Sequence, residues 1–73
     1  MKNKKLLETI VSNLKKEYNQ LSVRINNLDI FILLNCDNFD KEYMELLKTQ
    51  KDLMIEYEEI LYQRIKYIIA KYN

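Results

Sequence analysis

Residues 43–72 read YMELLKTQKDLMIEYEEILYQRIKYIIAKY, and columns of side chains at seven-residue spacing run through this whole segment. Because seven residues make almost two turns of an α-helix, each column forms a nearly straight line along the helix. Two neighbouring columns are apolar and a third is mixed, so we expect a long helix whose apolar seam requires a partner surface. The apolar columns are Leu46, Leu53, Ile60, Tyr67 and Leu47, Met54, Leu61, Ile68; the mixed column is Tyr43, Gln50, Tyr57, Arg64, Lys71.

The first half of the chain carries a second seam. From about Lys4 to Leu34 apolar residues recur at alternating steps of four and three over nearly four heptads, which predicts a long helix packed on another helix. Further apolar residues widen this stripe beyond the need of a two-stranded coiled coil. The seam residues are Leu7, Val11, Leu14, Tyr18, Leu21, Ile25, Leu28 and Ile32, and the widening residues are Leu6, Ile10 and Phe31.

A short polar segment, residues 35–40, separates the two patterns. Asparagine and aspartate in this segment favour a turn, and Asp40 is suited to cap a second helix from about Lys41 to Tyr72. Phe39 and Met44 stand at the positions of a hydrophobic staple. The sequence therefore predicts one all-α unit over residues 1–73, an antiparallel αα-hairpin with its first helix over about 4–34.

The expected register follows from the turn. If the turn is centred near residue 37, residues whose numbers add to about 75 lie side by side. That register places Tyr18 beside Tyr57 and Arg24 beside Gln50.

Length and composition argue that copies of this hairpin associate. A chain of 73 residues buries too little apolar surface to be comfortably stable as an extended monomer. With one cysteine, Cys36, and no histidine, neither disulfides nor a metal supplies the missing stability, and no cofactor is expected. We therefore expect a homo-oligomer, either a dimer that forms a four-helix bundle or a larger closed assembly.

Charge and hydropathy exclude two further classes of partner. The net charge is +1, so the strongly basic surface of a nucleic-acid-binding domain is absent, and a DNA or RNA polymer is not an expected partner. The longest uncharged apolar run, residues 30–34, is far shorter than a membrane span. A cytoplasmic protein fits best, and the lone thiol agrees with a reducing compartment.

The mixed column is the first candidate site. Tyrosine rings can stack on nucleobases, and guanidinium groups can hold phosphates, a combination that suits a small nucleotide ligand. Alternatively, the column is the edge of a seam, where tyrosine rings pack and their hydroxyl groups reach water. Arg24 and Arg64, the two arginines, could equally be engaged in inter-helix ion pairs, Arg24 with Glu17 or Asp52.

Catalytic chemistry is not expected. The acidic residues around Glu58 match no metal-binding motif, and Cys36 has no histidine to activate it. The basic and aromatic C-terminal segment, residues 64–72, could contact a nucleic-acid backbone but is also typical of a solvated helix end. Together with Lys2, Lys4 and Lys5 it leaves open a small DNA-associated factor.

Two spaced patterns resemble a known family. Residues 17–32 read E-Y-x-x-L-x-x-R-I-x-x-L-x-x-F-I, and residues 46–65 read L-L-x-x-Q-x-x-x-M-x-x-Y-x-x-I-L-x-x-R-I after Phe39. The chain resembles, over residues 13–65, the small helical-hairpin proteins of tailed phages that are similar to the anti-CBASS sponge. The resemblance implies an oligomer that sequesters cyclic di- or trinucleotide immune signals in the cytoplasm of an infected bacterium.

The resemblance also assigns roles to residues. It implies that Arg24 and Arg64 bind phosphates, whereas Tyr18, Gln50 and Tyr57 contact bases. The alternative function is a structural or adaptor protein, a coiled-coil hairpin that uses the same seam to bind itself or another protein.

Overall fold

Two long helices make up almost all of the described chain. The computed structural model describes residues 4–72, in which α1 spans Lys4–Leu34 and α2 spans Lys41–Tyr72. The Cα atoms fill a rod of 54 × 14 × 13 Å. The predicted all-α class, with two long antiparallel helices, is confirmed. Assembly into an oligomer stays a prediction, as does the treatment of residues 1–73 as one unit.

Asparagine side chains close the end of α1. The backbone N–H of Asn35 donates to the carbonyl oxygen of Phe31 at 3.0 Å, and the Asn35 side-chain amide donates to the same oxygen at 2.9 Å. Asn38 then donates to Asn35 through both its backbone N–H, at 3.0 Å, and its side chain, at 2.8 Å. These bonds satisfy a carbonyl group that the helix end would otherwise leave without a partner.

Asp40 caps the start of α2, as predicted. Its Oδ1 atom accepts a hydrogen bond of 2.8 Å from the backbone N–H of Tyr43, the third residue of the helix. Phe39 lies against two rings, with centroid distances of 6.0 Å to Phe31 and 4.9 Å to Tyr43. Met44 is buried beneath this region, and the Phe39–Met44 staple stays a prediction.

The surface of α2 that faces α1 is called the inner seam, and its residues alternate steps of three and four. Every one of them is buried or half-buried, and Leu61 is fully buried. The predicted seam of α1 is also buried or half-buried throughout, so the two seams form the interior of the hairpin. The inner seam consists of Met44, Leu47, Lys51, Met54, Glu58, Leu61, Ile65 and Ile68.

Two charged residues of the inner seam find polar partners on α1. Lys51 donates to Asp29 at 2.8 Å, and Ser22 donates to Glu58. In each pair the residue numbers add to 80, and the same holds for the rings of Tyr18 and Tyr62, whose centroids are 6.2 Å apart. The predicted register of 75 is therefore wrong on this flank of the hairpin.

The shift of the register from the predicted sum of 75 to a sum of 80 has a geometric cause. Side chains of an α-helix lean toward its N-terminus, so in an antiparallel pair the two sets lean in opposite directions. Contacts then form between residues with larger numbers than a comparison of Cα positions suggests. On this flank Tyr18 contacts Tyr62. On the other flank the hydroxyl group of Tyr57 donates to Glu17, and this pair, whose numbers add to 74, keeps the predicted register.

Candidate ligand-binding face

A second surface of α2 repeats the three–four spacing and points away from α1. We call it the outer stripe. Its three polar residues are exposed, and its six tyrosine, leucine and isoleucine residues have relative exposures between 43% and 62%. The outer stripe consists of Tyr43, Leu46, Gln50, Leu53, Tyr57, Ile60, Arg64, Tyr67 and Lys71.

The two apolar columns that the sequence grouped in one seam lie on different surfaces of α2, one on the inner seam and the other on the outer stripe. Leu47 and Leu61 are buried against α1, but their column neighbours Leu46 and Ile60 are 62% and 55% exposed. The sequence predicted that the two apolar columns need more cover than two helices provide, and within the hairpin only the Leu47 column is covered. One neighbouring helix covers a strip of only two columns, here those of Leu47 and Met44, so the Leu46 column and the mixed column are left at the surface.

Arg24 of α1 lies on the same side of the hairpin as the outer stripe. Two contacts show this: Glu17, seven residues before Arg24, accepts a hydrogen bond from Tyr57, and Phe31, seven residues after it, joins the ring cluster that ends at Tyr43. Gln50 stands midway between Tyr43 and Tyr57. Arg24 and Gln50 are thus level with each other on one flank, as the register of 75 predicts there.

Arg64 lies in a shallow hollow on the outer stripe. The hollow has a volume of about 390 Å³ and is formed by Ile60, Gln63, Arg64, Tyr67 and Ile68. Arg64 thus shares the lining of this open hollow with an aromatic ring and two branched aliphatic side chains. That combination offers a flat apolar surface for a base together with a fork of N–H donors for an anion.

Neither arginine is engaged in the ion pairs that the sequence left open. Among residues 4–72 the structure gives no ion pair to Arg24 or Arg64, and both side chains are exposed. Glu17, the expected partner of Arg24, accepts the Tyr57 hydroxyl group. Both guanidinium groups are therefore accessible to an anionic ligand.

The two remaining polar candidates on α2 have different surroundings. Tyr57 is 45% exposed and is oriented by its hydrogen bond to Glu17, which holds the ring at the junction of the two helices. Gln50 is exposed, and its side-chain nitrogen lies 3.9 Å from the sulfur atom of Met54. The Gln50 amide group is thus held only by a weak contact and can turn toward a ligand.

Tyr18 is not brought together with the other four candidates. Its ring is half-buried against the core of the hairpin and meets Tyr62, on the opposite flank from Arg24. The sequence contained a signal for this inward position. Tyr18 belongs to the apolar series of α1, and residues in that series pack against the other helix.

Sequence reasoning missed the hydrogen-bonded pair of Glu17 and Tyr57 and the ring cluster beside Tyr43 as parts of this face. The signal for the first pair is in the register, because the numbers of Glu17 and Tyr57 add to 74. Lys71 was identified as part of the mixed column; its ammonium group lies 5.4 Å from the ring centroid of Tyr67 and 3.1 Å from its hydroxyl oxygen. This contact places a cation at the C-terminal end of the outer stripe.

Lys51, on the opposite flank of the hairpin, has a raised pKa. The hydrogen bond from Lys51 to Asp29 raises the pKa of Lys51, with a smaller contribution from the charge of Asp52, and partial desolvation opposes it only in part. Lys51 is therefore held as a cation against α1, at the half-buried edge of the contact between the two helices.

Two kinds of site find no support in the part of the chain that the structure describes. Residues 4–72 bring no three cysteine, aspartate or glutamate side chains together in a way that could hold a metal ion. Neither α1 nor α2 has an apolar stretch long enough to cross a bilayer. Lys2, which was part of the DNA-associated hypothesis, lies outside the described residues.

Comparison with known proteins identifies the family. The model of one family, Sequestin, matches residues 8–67. The chain belongs to the Sequestin family. The match covers both helices and the turn, and it confirms the resemblance to phage sponge proteins, which are binding proteins and not enzymes. No curated protein and no solved structure matches the chain.

Proposed function

We propose that this member of the Sequestin family captures cyclic oligonucleotide immune signals in the cytoplasm of a phage-infected bacterium. Capture is stoichiometric, and the ligand leaves unchanged. The family match supports sequestration of a cyclic nucleotide. The observation that carries the proposal is the exposed Arg64 guanidinium group, which has no ion pair in residues 4–72 and is bordered by Ile60 and Tyr67.

The chemistry of the face fits such a ligand. A cyclic dinucleotide or trinucleotide presents flat bases and phosphate groups, which require stacking surfaces and N–H donors in fixed geometry. Arg24 and Arg64 are the proposed phosphate ligands, whereas Gln50 and Tyr57 are the proposed base contacts. Tyr18 stays a proposed base contact with less support, because its ring packs against Tyr62 on the other flank.

The test is isothermal titration of the intact chain with cyclic dinucleotides, cyclic trinucleotides and cyclic ADP-ribose. Saturable binding of a cyclic oligonucleotide is expected. Arg64→Ala should weaken that binding by about tenfold or more, since a hydrogen bond to a charged group contributes about 1.5–3 kcal/mol. Lys66→Ala is the matched control, because Lys66 lies over the ring of Tyr62, away from the outer stripe.

Each outcome decides the proposal. Equal losses for Arg64→Ala and Lys66→Ala would show general charge attraction instead of a site. Binding of cyclic ADP-ribose alone would keep the capture of a nucleotide signal but replace the ligand class. Absence of binding across the panel, with helicity intact by circular dichroism, would overturn the function and favour an adaptor protein.

A further inference from the structure

Glu17 places a carboxylate group near the middle of the candidate ligand-binding face. Its Oε2 atom accepts the hydroxyl group of Tyr57, which belongs to the outer stripe. Arg64 lies seven residues beyond Tyr57 on α2, and Arg24 lies seven residues beyond Glu17 on α1. Because the two helices are antiparallel, the two arginines lie on opposite sides of this pair, each roughly 10 Å away along the hairpin at 1.5 Å per residue.

Glu17 has unused hydrogen-bonding capacity. The ion pair that the structure gives within residues 4–72 joins Lys51 to Asp29 on the opposite flank, so no cation in this range neutralises Glu17. Glu17 is half-buried, and within the same residues it accepts one hydrogen bond, although a carboxylate has sites for about four. Lone pairs of Glu17 therefore remain available to a donor from a ligand.

The hydroxyl group of Tyr57 offers an acceptor as well. Because this group donates its hydrogen to Glu17, its oxygen atom can only accept a further hydrogen bond. The carboxylate and the phenol oxygen are thus neighbouring acceptors. The guanidinium groups of Arg24 and Arg64, in contrast, carry N–H donors only. The face therefore presents donors at two levels and acceptors at the level between them.

This order of donors and acceptors decides which part of a nucleotide can lie beside Glu17. A phosphate group is an anion whose oxygen atoms accept hydrogen bonds, so a carboxylate without a counter-ion repels it. A ribose hydroxyl group has a hydrogen to donate, and acidic side chains bind this group in dinucleotide-binding folds. The ribose is bonded directly to the phosphate, so a nucleotide held by Arg64 can extend its sugar toward Glu17.

We infer that Glu17, oriented by Tyr57, accepts a hydrogen bond from a ribose hydroxyl group of the captured signal and thereby selects ribonucleotides over deoxyribonucleotides. The inference rests on the proposed function, because it assigns a role within the same face. Arg24 and Arg64 contribute affinity without distinguishing the two sugars, since the phosphate groups of both ligand classes are the same. Glu17 adds the selective contact.

The test compares ligands that differ in a ribose hydroxyl group. The probes are cyclic di-AMP and cyclic ADP-ribose, each with its 2′-deoxy analogue and its hypoxanthine counterpart, titrated calorimetrically into the intact chain. The native chain should bind the ribose form at least about tenfold more tightly than the deoxy form. Glu17→Ala should bring this ratio of affinities close to one. Glu17→Gln, which keeps an uncharged acceptor oxygen, should retain part of it.

Two further variants separate the hydrogen bond from the charge of Glu17. Glu8→Ala is the matched control, because Glu8 is exposed on α1 fourteen residues before Ser22 and so lies on the flank where Ser22 contacts Glu58. It removes the same charge and should leave the ratio at its native value. Tyr57→Phe removes the group that orients Glu17 and should lower the ratio, while its ring remains available for stacking. Circular dichroism of each variant checks that helicity is retained.

The outcomes distinguish this inference from the proposed function. Equal affinity of the native chain for ribose and deoxy ligands would overturn the role of Glu17 and leave the proposed function standing. If Glu17→Ala changes both affinities by the same factor, Glu17 acts only through its charge, and the inference is likewise overturned. A loss of affinity with the hypoxanthine ligands but not with the deoxy ligands would assign the contact to the adenine amino group and overturn the ribose contact. Binding of no probe would overturn the proposed function and the inference together.

Discussion

The two apolar surfaces of α2 have the same spacing and opposite fates. The inner seam is covered by α1, and its charged members have fixed partners, Lys51 with Asp29 and Glu58 with Ser22. The outer stripe is exposed, and its cation Arg64 has no ion pair in residues 4–72. Heptad spacing therefore indicates that a helix surface will be covered, but not whether the cover comes from the same chain.

Polar residues mark the difference between the two surfaces. A charged residue that faces α1 needs a partner there, because an unpaired charge at a partly buried position costs free energy. On the outer stripe, Arg64 has no ion pair among residues 4–72 and Gln50 has only a weak contact to Met54, so both keep N–H donors available for a ligand.

The largest effect is expected for Leu61→Ala on the inner seam. Leu61 is fully buried, so the substitution leaves a cavity and should lower the free energy of unfolding by about 2–5 kcal/mol. Urea unfolding followed by circular dichroism measures the change. Leu53→Ala on the outer stripe is the matched control, because Leu53 is 60% exposed in the hairpin. Equal losses at low protein concentration would remove the distinction between the two surfaces.

Leu53→Glu should separate the copies without unfolding the hairpin. A carboxylate in the middle of the outer stripe would be buried unpaired in the expected contact between copies, whereas in a single hairpin it stays in water. Native protein should become more stable with increasing concentration, and the variant should not. Thermal unfolding at concentrations spanning two decades measures this dependence. A concentration dependence that is unchanged in the variant would contradict the role of the stripe.

Asp40→Ala should weaken the start of α2 by a moderate amount. The Asp40 carboxylate accepts the backbone N–H of Tyr43 at 2.8 Å, and loss of such a cap costs about 1 kcal/mol. Urea unfolding measures the loss, and Asp40→Asn, which keeps an acceptor oxygen, should recover most of it. A full loss in the asparagine variant would show that the carboxylate acts by charge instead.

The smallest effect concerns pH and the pair of Lys51 and Asp29. The pKa of Lys51 is raised in the folded state, so the pair stabilises the hairpin below the ordinary lysine pKa, and this contribution is lost as pH rises through the higher folded value. As pH rises above about 10, the ordinary lysine value, the native chain should lose slightly more stability than Lys51→Met. The difference between the two chains cancels the response of every group that both chains share. If the stability of the native chain and of Lys51→Met changed with pH in the same way, the pair of Lys51 and Asp29 would not cause the loss.

The hairpin could be predicted from the sequence because the apolar spacing, the polar turn segment and the helix cap all indicated the same fold. Two apolar series at helical spacing predicted two helices, and Asp40 stood where a cap was needed. The register was predicted less well, since Tyr18 meets Tyr62 and not Tyr57. Contacts between the helices depend on the direction in which each side chain leans along its helix. A register obtained by adding residue numbers leaves this direction out.

The candidate site could be predicted only in part. Arg24, Gln50, Tyr57 and Arg64 do lie on one side of the hairpin, but the sequence did not distinguish the covered apolar column from the exposed one. That choice depends on how the two helices rotate about their own axes, which the packing of the whole seam fixes. Tyr18 is a second example. Its place in the apolar series predicts a packed ring, whereas its hydroxyl group suggested a contact to a ligand.

Sedimentation equilibrium of the native chain at micromolar concentration tests the central claim most directly, namely that a second copy covers the outer stripe. The native chain should sediment with a mass that is a multiple of the 9.0 kDa chain, and Leu53→Glu should reduce this mass to that of one chain. A single 9.0 kDa species for the native protein, with full helicity, would contradict it.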